Sequence, residues 1–196
     1  MNAQCIMVCS GKGGTGKSTV SVLLGACLAR LGRKVLLIEL DSGLRSVDII
    51  AGVYGRTVYD IEDVLCGRCE GAKAVVPSPL YPGLSVISAP YEGGAVDAAP
   101  LGRLLVAMRP YFDYVILDTA PVGMVTDTLL IGRVADLSVY VCRADYTHKA
   151  EYTLINELAI EKKLSKLCTV INGVDLKKRK YGYYYGYGKR YGYGYG

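Results

Sequence analysis

One glycine-rich loop of ten residues governs the architecture of this chain: Ser10-Gly11-Lys12-Gly13-Gly14-Thr15-Gly16-Lys17-Ser18-Thr19. The segment Gly11–Ser18 matches the phosphate-binding pattern G-x-x-x-x-G-K-[ST]. An apolar run, Cys5–Cys9, precedes the loop, and a helix-like segment, Val20–Leu31, follows it. A strand that turns into a helix through glycines leaves backbone N–H groups without internal partners, all directed at one point. The loop therefore predicts a phosphate-binding site.

The residue types in the loop indicate how a nucleotide is held. The Lys17 ammonium group can reach β- and γ-phosphate oxygens, and the Ser18 hydroxyl can bind Mg²⁺. We therefore predict ATP and Mg²⁺ as cofactors, with a glycine-rich turn that binds nothing as the alternative. The loop residues assigned to nucleotide binding are Gly11, Lys12, Gly13, Gly14, Thr15, Gly16, Lys17, Ser18 and Thr19.

Carboxylates follow two apolar runs further along the chain. Glu39 and Asp41 come after the first run, Val35–Ile38, and Asp118 ends the second, Tyr111–Asp118. The carboxyl ends of parallel strands meet at one edge of a sheet, where ligands bind. A hydrophobic strand that ends in aspartate downstream of a phosphate loop is the Walker B pattern, whose carboxylate holds Mg²⁺. We expect Ser18, Asp41 and Asp118 to hold the metal, with helix capping as the alternative for Asp41.

Apolar strand-like runs alternate with helix-like segments through most of the chain. This order predicts an α/β fold with a doubly wound, mostly parallel sheet flanked by helices. We divide the chain into a nucleotide-binding domain, residues 1–175, and a tail, residues 176–196. The sequence shows neither a leader nor an apolar run long enough to span a bilayer, so we expect a cytoplasmic protein.

The cysteines do not have the pattern of a disulfide framework in a secreted protein. The seven cysteines are odd in number and scattered over the predicted strands and helices. Cys66 and Cys69 have C-x-x-C spacing, but no second pair stands at zinc-site spacing and the one histidine of the sequence is His148. Metal or redox use of that pair stays an alternative, and His148 is expected to be an exposed polar residue.

The tail differs from the domain in charge and composition. From Asp175 onward six basic residues face one acid, whereas the 17 basic and 17 acidic residues of the rest balance. Glycine and tyrosine alternate through the tail, a low-complexity pattern that cannot build a core, and we expect this segment to be disordered. Its tyrosines are Tyr181, Tyr183, Tyr184, Tyr185, Tyr187, Tyr191, Tyr193 and Tyr195.

The first part of the chain resembles the Min-type and Par-type partition ATPases. Lys12, within Lys-Gly-Gly-Thr-Gly-Lys-Ser, matches their deviant Walker A loop, in which the extra lysine reaches the nucleotide of a partner subunit. The segment Asp41–Gly52 is similar to their Walker A′ region, although Glu39 stands where these families usually have an aspartate. This resemblance implies an ATP-bridged homodimer, with a solvated surface lysine as the alternative for Lys12.

Later segments resemble the kinase domain of the bacterial tyrosine kinases of capsule and exopolysaccharide synthesis. The similar segments are Asp118–Asp127, Val139–Arg143 and Val170–Asp175. A C-terminal tyrosine cluster is the autophosphorylation site of those kinases, so the resemblance implies that the eight tail tyrosines are phosphoacceptors. Both families use an asparagine at the position of Asn172 to read adenine, and a post-strand turn is the alternative for that residue.

From these features we predict an ATP-dependent tyrosine autokinase that phosphorylates its own tail in trans and regulates polysaccharide synthesis or export. Its catalytic residues are expected to be Lys17, Lys12, Asp41 and Asp118, with Asp41 or Glu39 accepting the tyrosine proton. The partners implied are further copies of the chain, as a dimer or larger oligomer, a separate membrane activator and a tyrosine phosphatase.

The activator would place the protein peripherally at the inner face of the cell membrane, and nucleic acid is not expected as a partner. Two alternatives remain open. The chain is either a Min/Par-type ATPase, which acts as an ATP-switched positioning dimer with a tail that only binds, or a degraded ATPase with an adhesive, non-catalytic tail.

Overall fold

The computed structural model describes residues 3–43, 45–92, 97–122 and 127–175. Within these ranges strands and helices alternate along the chain. The strands are β1 (Gln4–Cys9), β2 (Val35–Glu39), β3 (Val76–Pro77), β4 (Leu84–Ile87), β5 (Tyr114–Asp118), β6 (Leu137–Arg143) and β7 (Leu167–Asn172). The helices are α1 (Lys17–Arg30), α2 (Ser46–Ala51), α3 (Ile61–Leu65), α4 (Gly71–Ala74), α5 (Ala98–Met108), α6 (Asp127–Gly132) and α7 (Lys149–Ile160).

The strands form one seven-stranded sheet in the order β3-β4-β2-β5-β1-β6-β7. Strand β3 runs antiparallel to β4, and every other neighbouring pair is parallel. Parallel neighbours require crossover connections, which the helices between the strands supply. The predicted α/β fold, with a mostly parallel sheet flanked by helices, is confirmed.

Apolar side chains cover both faces of the central strands. Along β1, Cys5, Met7 and Cys9 belong to one core cluster, and Ile6 and Val8 belong to the cluster on the other face. Successive side chains of a strand point to opposite faces, so a strand buried on both sides is continuously apolar. This burial explains why the first strand was recognisable as an uninterrupted apolar run.

The register of the central strands brings the predicted site together. Strand β5 lies between β1 and β2, so Val8 of β1 and Glu39 of β2 are both register partners of Asp118. The phosphate loop leaves the carboxyl end of β1 at this same edge. The two carboxylate-bearing strands and the loop therefore meet at the carboxyl edge of the sheet, as the sequence predicts.

Helix α4 ends at Ala74 and is followed by the two-residue strand β3, which contains Pro77. Proline lacks an N–H donor, but β3 is the outermost strand on its side of the described sheet, where a ladder bond is not required.

Among the described residues, no helix is both long and apolar enough to cross a bilayer.

Candidate functional site

The loop between β1 and α1 has the backbone shape that its glycines permit. Gly14 and Gly16 have φ angles of 75° and 94°, in the left-handed region that side chains disfavour. A Cβ placed on Gly16 would also meet Nδ2 of Asn172. The loop pattern therefore requires glycine at position 16 for two reasons, its backbone angle and the close approach of a side chain from β7.

Helix α1 begins directly after this loop. Its first hydrogen bond runs from Val20 N to Gly16 O at 2.9 Å. The amides of Lys17, Ser18 and Thr19 therefore precede the helical ladder, and together with the helix dipole they favour an anion at this end. This is the position at which the sequence predicts the phosphates.

Lys17 lies against this end of the helix. Its side chain is 6% exposed, and Nζ is 3.7 Å from Oδ2 of Asp41, whose side chain is 38% exposed. Burial raises the pKa of the Asp41 carboxyl above its usual value, and the charge of Lys17 opposes that rise. A buried ammonium group beside an anion-binding helix end can transfer from this carboxylate to a phosphate.

Asp118 and Glu39 carry two further carboxyl groups, which are buried more deeply than that of Asp41. Asp118 is fully buried, and its Oδ1 accepts a hydrogen bond of 2.8 Å from Ser21 Oγ. Burial raises the pKa of Asp118 to about 6, against the opposing effect of the Ser18 and Ser21 hydroxyls. Burial likewise raises the pKa of Glu39 to about 8, so this neighbour of Asp118 is largely protonated at neutral pH.

Glu39 contacts the following helix rather than the open edge. Its Oε1 accepts a hydrogen bond of 3.2 Å from Val47 N, within the first turn of α2, and the residue is 1% exposed. Glu39 thus ties β2 to α2, whereas Asp41 lies two residues further on and is partly exposed. Of the two carboxyl groups, Asp41 is the one that lies beside Lys17 of the loop.

The oxygen atoms at this edge fit a magnesium ion bound together with a nucleotide. Oδ2 of Asp118 and Oε2 of Glu39 are buried and have no hydrogen-bond partner among the described residues. In these residues no group of three His, Cys, Asp or Glu could hold a metal alone. Mg²⁺ usually needs only one or two carboxylates, with phosphates and water completing its shell. Ser18, Asp41 and Asp118 remain the predicted protein partners of the ion.

Lys12 occupies a different environment from Lys17. Its Nζ donates a hydrogen bond of 2.9 Å to the backbone oxygen of Tyr146 and lies 4.2 Å from the centre of that ring. The same atom is 3.5 Å from Oε1 of Glu151, and the Lys12 side chain is 31% exposed. The lysine is therefore held at the surface by residues between β6 and the first turn of α7.

Three side chains from the β6 and β7 end of the sheet donate hydrogen bonds to consecutive carbonyls of the loop. The bonds run from Tyr146 Oη to Gly13 O at 3.1 Å, from Arg143 Nη1 to Gly14 O at 3.0 Å, and from Asn172 Nδ2 to Thr15 O at 3.0 Å. Asn172 thus lies beside the loop, as expected, although the contact seen is with the loop. Its reading of adenine stays a prediction.

Sequence reasoning missed Arg143, Tyr146 and Glu151 as site residues. One signal was present, because Arg143 ends β6 as Asn172 ends β7, and the two residues are register partners. Tyr146 and Glu151 follow the strand and fit no motif. The predicted phosphoacceptor tyrosines of the tail lie outside the described residues.

This chain is similar in sequence to a septum site-determining protein. It is 42% identical to the septum site-determining protein MinD of Synechocystis sp. over 121 residues. The match covers 61% of this chain and 45% of that protein, so the chain spans about half the length of this relative.

Two solved structures have closely similar folds. The MinC:MinD cell division protein complex of Aquifex aeolicus gives a TM-score of 0.77 at 30% identity, covering 88% of this chain and 70% of that one. The kinase domain of the Escherichia coli tyrosine kinase ETK gives 0.75 at 26% identity, covering 94% and 72%. The fold alone therefore does not separate the two resemblances seen in the sequence.

The prediction of a tyrosine autokinase is wrong. The sequence relatives at 36 to 42% identity are named septum site-determining protein MinD, and a MinD structure matches as well as the kinase does. Asp118 and Asn172, which belong to the kinase-like segments, end β5 and β7 of a fold that both groups share. The tyrosine-rich tail suggested kinase activity through its composition alone.

The match to a family extends over most of the chain. The model of the CobQ/CobB/MinD/ParA nucleotide binding domain, CbiA, matches residues 6–179. This range contains the loop, both carboxylate-bearing strands and Asn172. It confirms the prediction of ATP with Mg²⁺ as the cofactors. The chain belongs to the CobQ/CobB/MinD/ParA family of nucleotide-binding domains.

Proposed function

We propose that this chain is the ATPase domain of a Min/Par-type positioning protein, which dimerises with bound ATP and separates after hydrolysis. The observation that carries the proposal is the presence of two lysines in different environments on one phosphate loop. Lys17 is buried beside the helix end, whereas Lys12 is at the surface, where a second subunit can meet it. The similarity to proteins named MinD supports the same function.

The described residues suggest how hydrolysis proceeds. Lys17 would leave Asp41 and neutralise charge that builds on the transferred phosphoryl group. Asp41 would then accept the proton of the attacking water, because it is partly exposed and lies at the loop. Glu39 is less suited to this role, because it is 1% exposed and its Oε1 accepts a hydrogen bond from Val47 N. Bound Mg²⁺ would supply further charge neutralisation at the phosphates.

Lys12 would act between subunits. In the single chain its ammonium group is shared by the Tyr146 carbonyl, the Tyr146 ring and Glu151. The phosphates of a nucleotide on a second subunit carry more negative charge than Glu151 alone, so they can compete for the lysine. ATP-dependent pairing of two chains would therefore begin with release of Lys12 from these contacts.

Two lysine variants test this proposal. We expect Lys17→Ala to weaken ATP binding at least tenfold, because it removes a charge-assisted phosphate contact. Lys12→Ala should bind ATP within about twofold of the wild type, yet lose ATP-dependent dimerisation and most phosphate release. Light scattering with Mg-ATP or Mg-ADP measures the dimer, and a phosphate-release assay measures hydrolysis. Lys34→Ala, at an exposed lysine before β2, is the matched control.

Two results would contradict the proposal. One is an ATP-dependent dimer that forms equally well in Lys12→Ala. The other is a gain of phosphoryl-sized mass on the chain without release of free phosphate.

A second copy of the chain is the partner proposed first, and a MinC-like protein follows from the complex solved for Aquifex aeolicus. The membrane activator and phosphatase accompany the kinase interpretation and are not proposed, and the cytoplasmic location stays a prediction.

A further inference from the structure

We propose that Arg143 and Tyr146 are positioning residues for phosphate binding, which turn the loop amides toward the nucleotide by holding the loop carbonyls outward. The inference rests on the proposed function, because it concerns the same nucleotide. It assigns a role to two residues that no motif of the sequence singled out. The observation behind it is the row of donors that bonds three consecutive loop carbonyls.

The geometry of the peptide bond connects these contacts to the phosphate. No peptide bond in the described residues is cis. In a trans peptide the carbonyl of one residue and the N–H of the next point in opposite directions. Holding the carbonyls of Gly13, Gly14 and Thr15 toward β6 and β7 therefore directs the N–H groups of the residues that follow them to the other side. Those N–H groups belong to Gly14, Thr15 and Gly16.

A loop of this composition needs such support. Glycine allows more backbone conformations than other residues, so the peptide planes around Gly13, Gly14 and Gly16 can rotate at little cost. A loop that samples many orientations must lose that freedom when the phosphate binds, which lowers affinity. Side-chain donors that fix the carbonyls beforehand reduce this loss.

Hydrogen bonds at the carboxyl ends of β6 and β7 fix the backbone of Arg143 and Tyr146. Arg143 is the register partner of Asn172, and its N–H donates a hydrogen bond of 2.8 Å to Thr147 Oγ1. The backbone N–H of Tyr146 donates to the Arg143 carbonyl at 3.2 Å. Ala144 N donates to Asn172 O at 2.9 Å, which ties the turn to β7. The backbone of the turn at residues 143–147 is thus held by hydrogen bonds, and this turn carries the two donor side chains, Arg143 and Tyr146.

Substitution can separate the hydroxyl contact of Tyr146 from its contacts with Lys12. Its hydroxyl bonds Gly13 O, while its ring and its backbone carbonyl contact Lys12. Tyr146→Phe removes the hydroxyl alone and leaves both contacts with Lys12. Arg143→Lys keeps a charged donor on a shorter and less directional side chain, and Arg143→Met removes the donor.

The test compares ADP with AMP as ligands of the full chain. The β-phosphate is present in ADP and absent from AMP, so a defect in the loop amides should affect ADP alone. We expect Tyr146→Phe and Arg143→Met each to weaken Mg-ADP binding about three- to tenfold, which corresponds to loss of one hydrogen bond. AMP binding should change less than twofold, and Arg143→Lys should lie between Arg143→Met and the wild type. Competition against a fluorescent ADP analogue provides the dissociation constants.

Controls separate positioning from general loss of structure. Tyr111→Phe and Arg103→Lys change exposed residues away from the loop, and both should bind ADP as the wild type does. Equal weakening of ADP and AMP together with a lower unfolding temperature would overturn the inference in favour of a purely structural role. Unchanged ADP binding in Tyr146→Phe and Arg143→Met would also overturn it. A wild-type chain that binds neither nucleotide would instead contradict the proposed function itself.

Discussion

Two glycines of the phosphate loop differ in what a side chain would encounter. Gly16 has a φ of 94°, and a Cβ there would meet Nδ2 of Asn172, whereas a Cβ on Gly13 would have nothing within 4 Å. We therefore expect Gly16→Ala to lower the free energy of unfolding by about 1 to 3 kcal/mol through backbone strain. Gly13→Ala should change it by less than about 0.5 kcal/mol. Urea unfolding of both variants measures the difference, and equal losses would contradict this account of the loop.

At the level of single residues, the sequence located the groups that belong to motifs. Lys17 lies at the helix end and Asp118 at the buried end of β5, because local pattern and strand burial determine both places. Arg143 and Tyr146 could not be found in this way. They meet the loop across more than 125 positions of sequence, and such contacts depend on the strand order of the sheet.

Helix α7 supplies the acidic partner of Lys12. Glu151 lies in its first turn, with Oε1 3.5 Å from Lys12 Nζ. If Lys12 bridges subunits, Glu151→Gln should release it and strengthen ATP-dependent dimerisation about two- to fivefold, the range expected for a partly exposed ion pair. Glu157→Gln, at an exposed position of the same helix, is the control. Sedimentation at several concentrations with Mg-ATP measures the dimer dissociation constant, and a weaker dimer in Glu151→Gln would show that Glu151 supports the pairing.

At the level of elements, the alternation of apolar runs predicted the fold but not the function. The same succession of strands and helices occurs in MinD and in the kinase ETK, so motifs on these strands cannot choose between them. The tail favours the kinase only through its tyrosine content, and composition does not specify a catalytic site. Lys12 and the segment Asp41–Gly52 carried the more specific signal, and the sequence relatives agree with them.

Buried carboxyl groups make the stability of the whole molecule dependent on pH. Glu39 ionises near 4.5 when exposed, but burial raises its pKa to about 8 in the folded chain, and Asp118 shifts likewise to about 6. Between these values the folded state holds protons that the unfolded state has released. The free energy of unfolding of the nucleotide-free chain should therefore fall as the pH rises from about 4.5 to about 8.

Glu39→Gln tests this dependence, because the amide keeps an oxygen for Val47 N and cannot ionise. Between pH 6 and 8 we expect the free energy of unfolding of Glu39→Gln to change little. In Glu157→Gln it should fall as it does in the wild type. Denaturant unfolding at a series of pH values provides the slopes. If the free energy of unfolding of Glu39→Gln falls with pH as steeply as that of the wild type, another group causes the fall.

The contacts that complete the site join residues that lie far apart in the sequence. Asn172 bonds Thr15 across 157 positions, and Ser21 bonds Asp118 across 97. During synthesis the phosphate loop is made before the residues that orient its backbone, which follow it by more than 125 positions. Such distant pairings form late and slowly in folding. Capture of a nucleotide would therefore mark the end of folding rather than guide its beginning, and a nascent chain that stops before β6 would carry an intact loop sequence without a finished site.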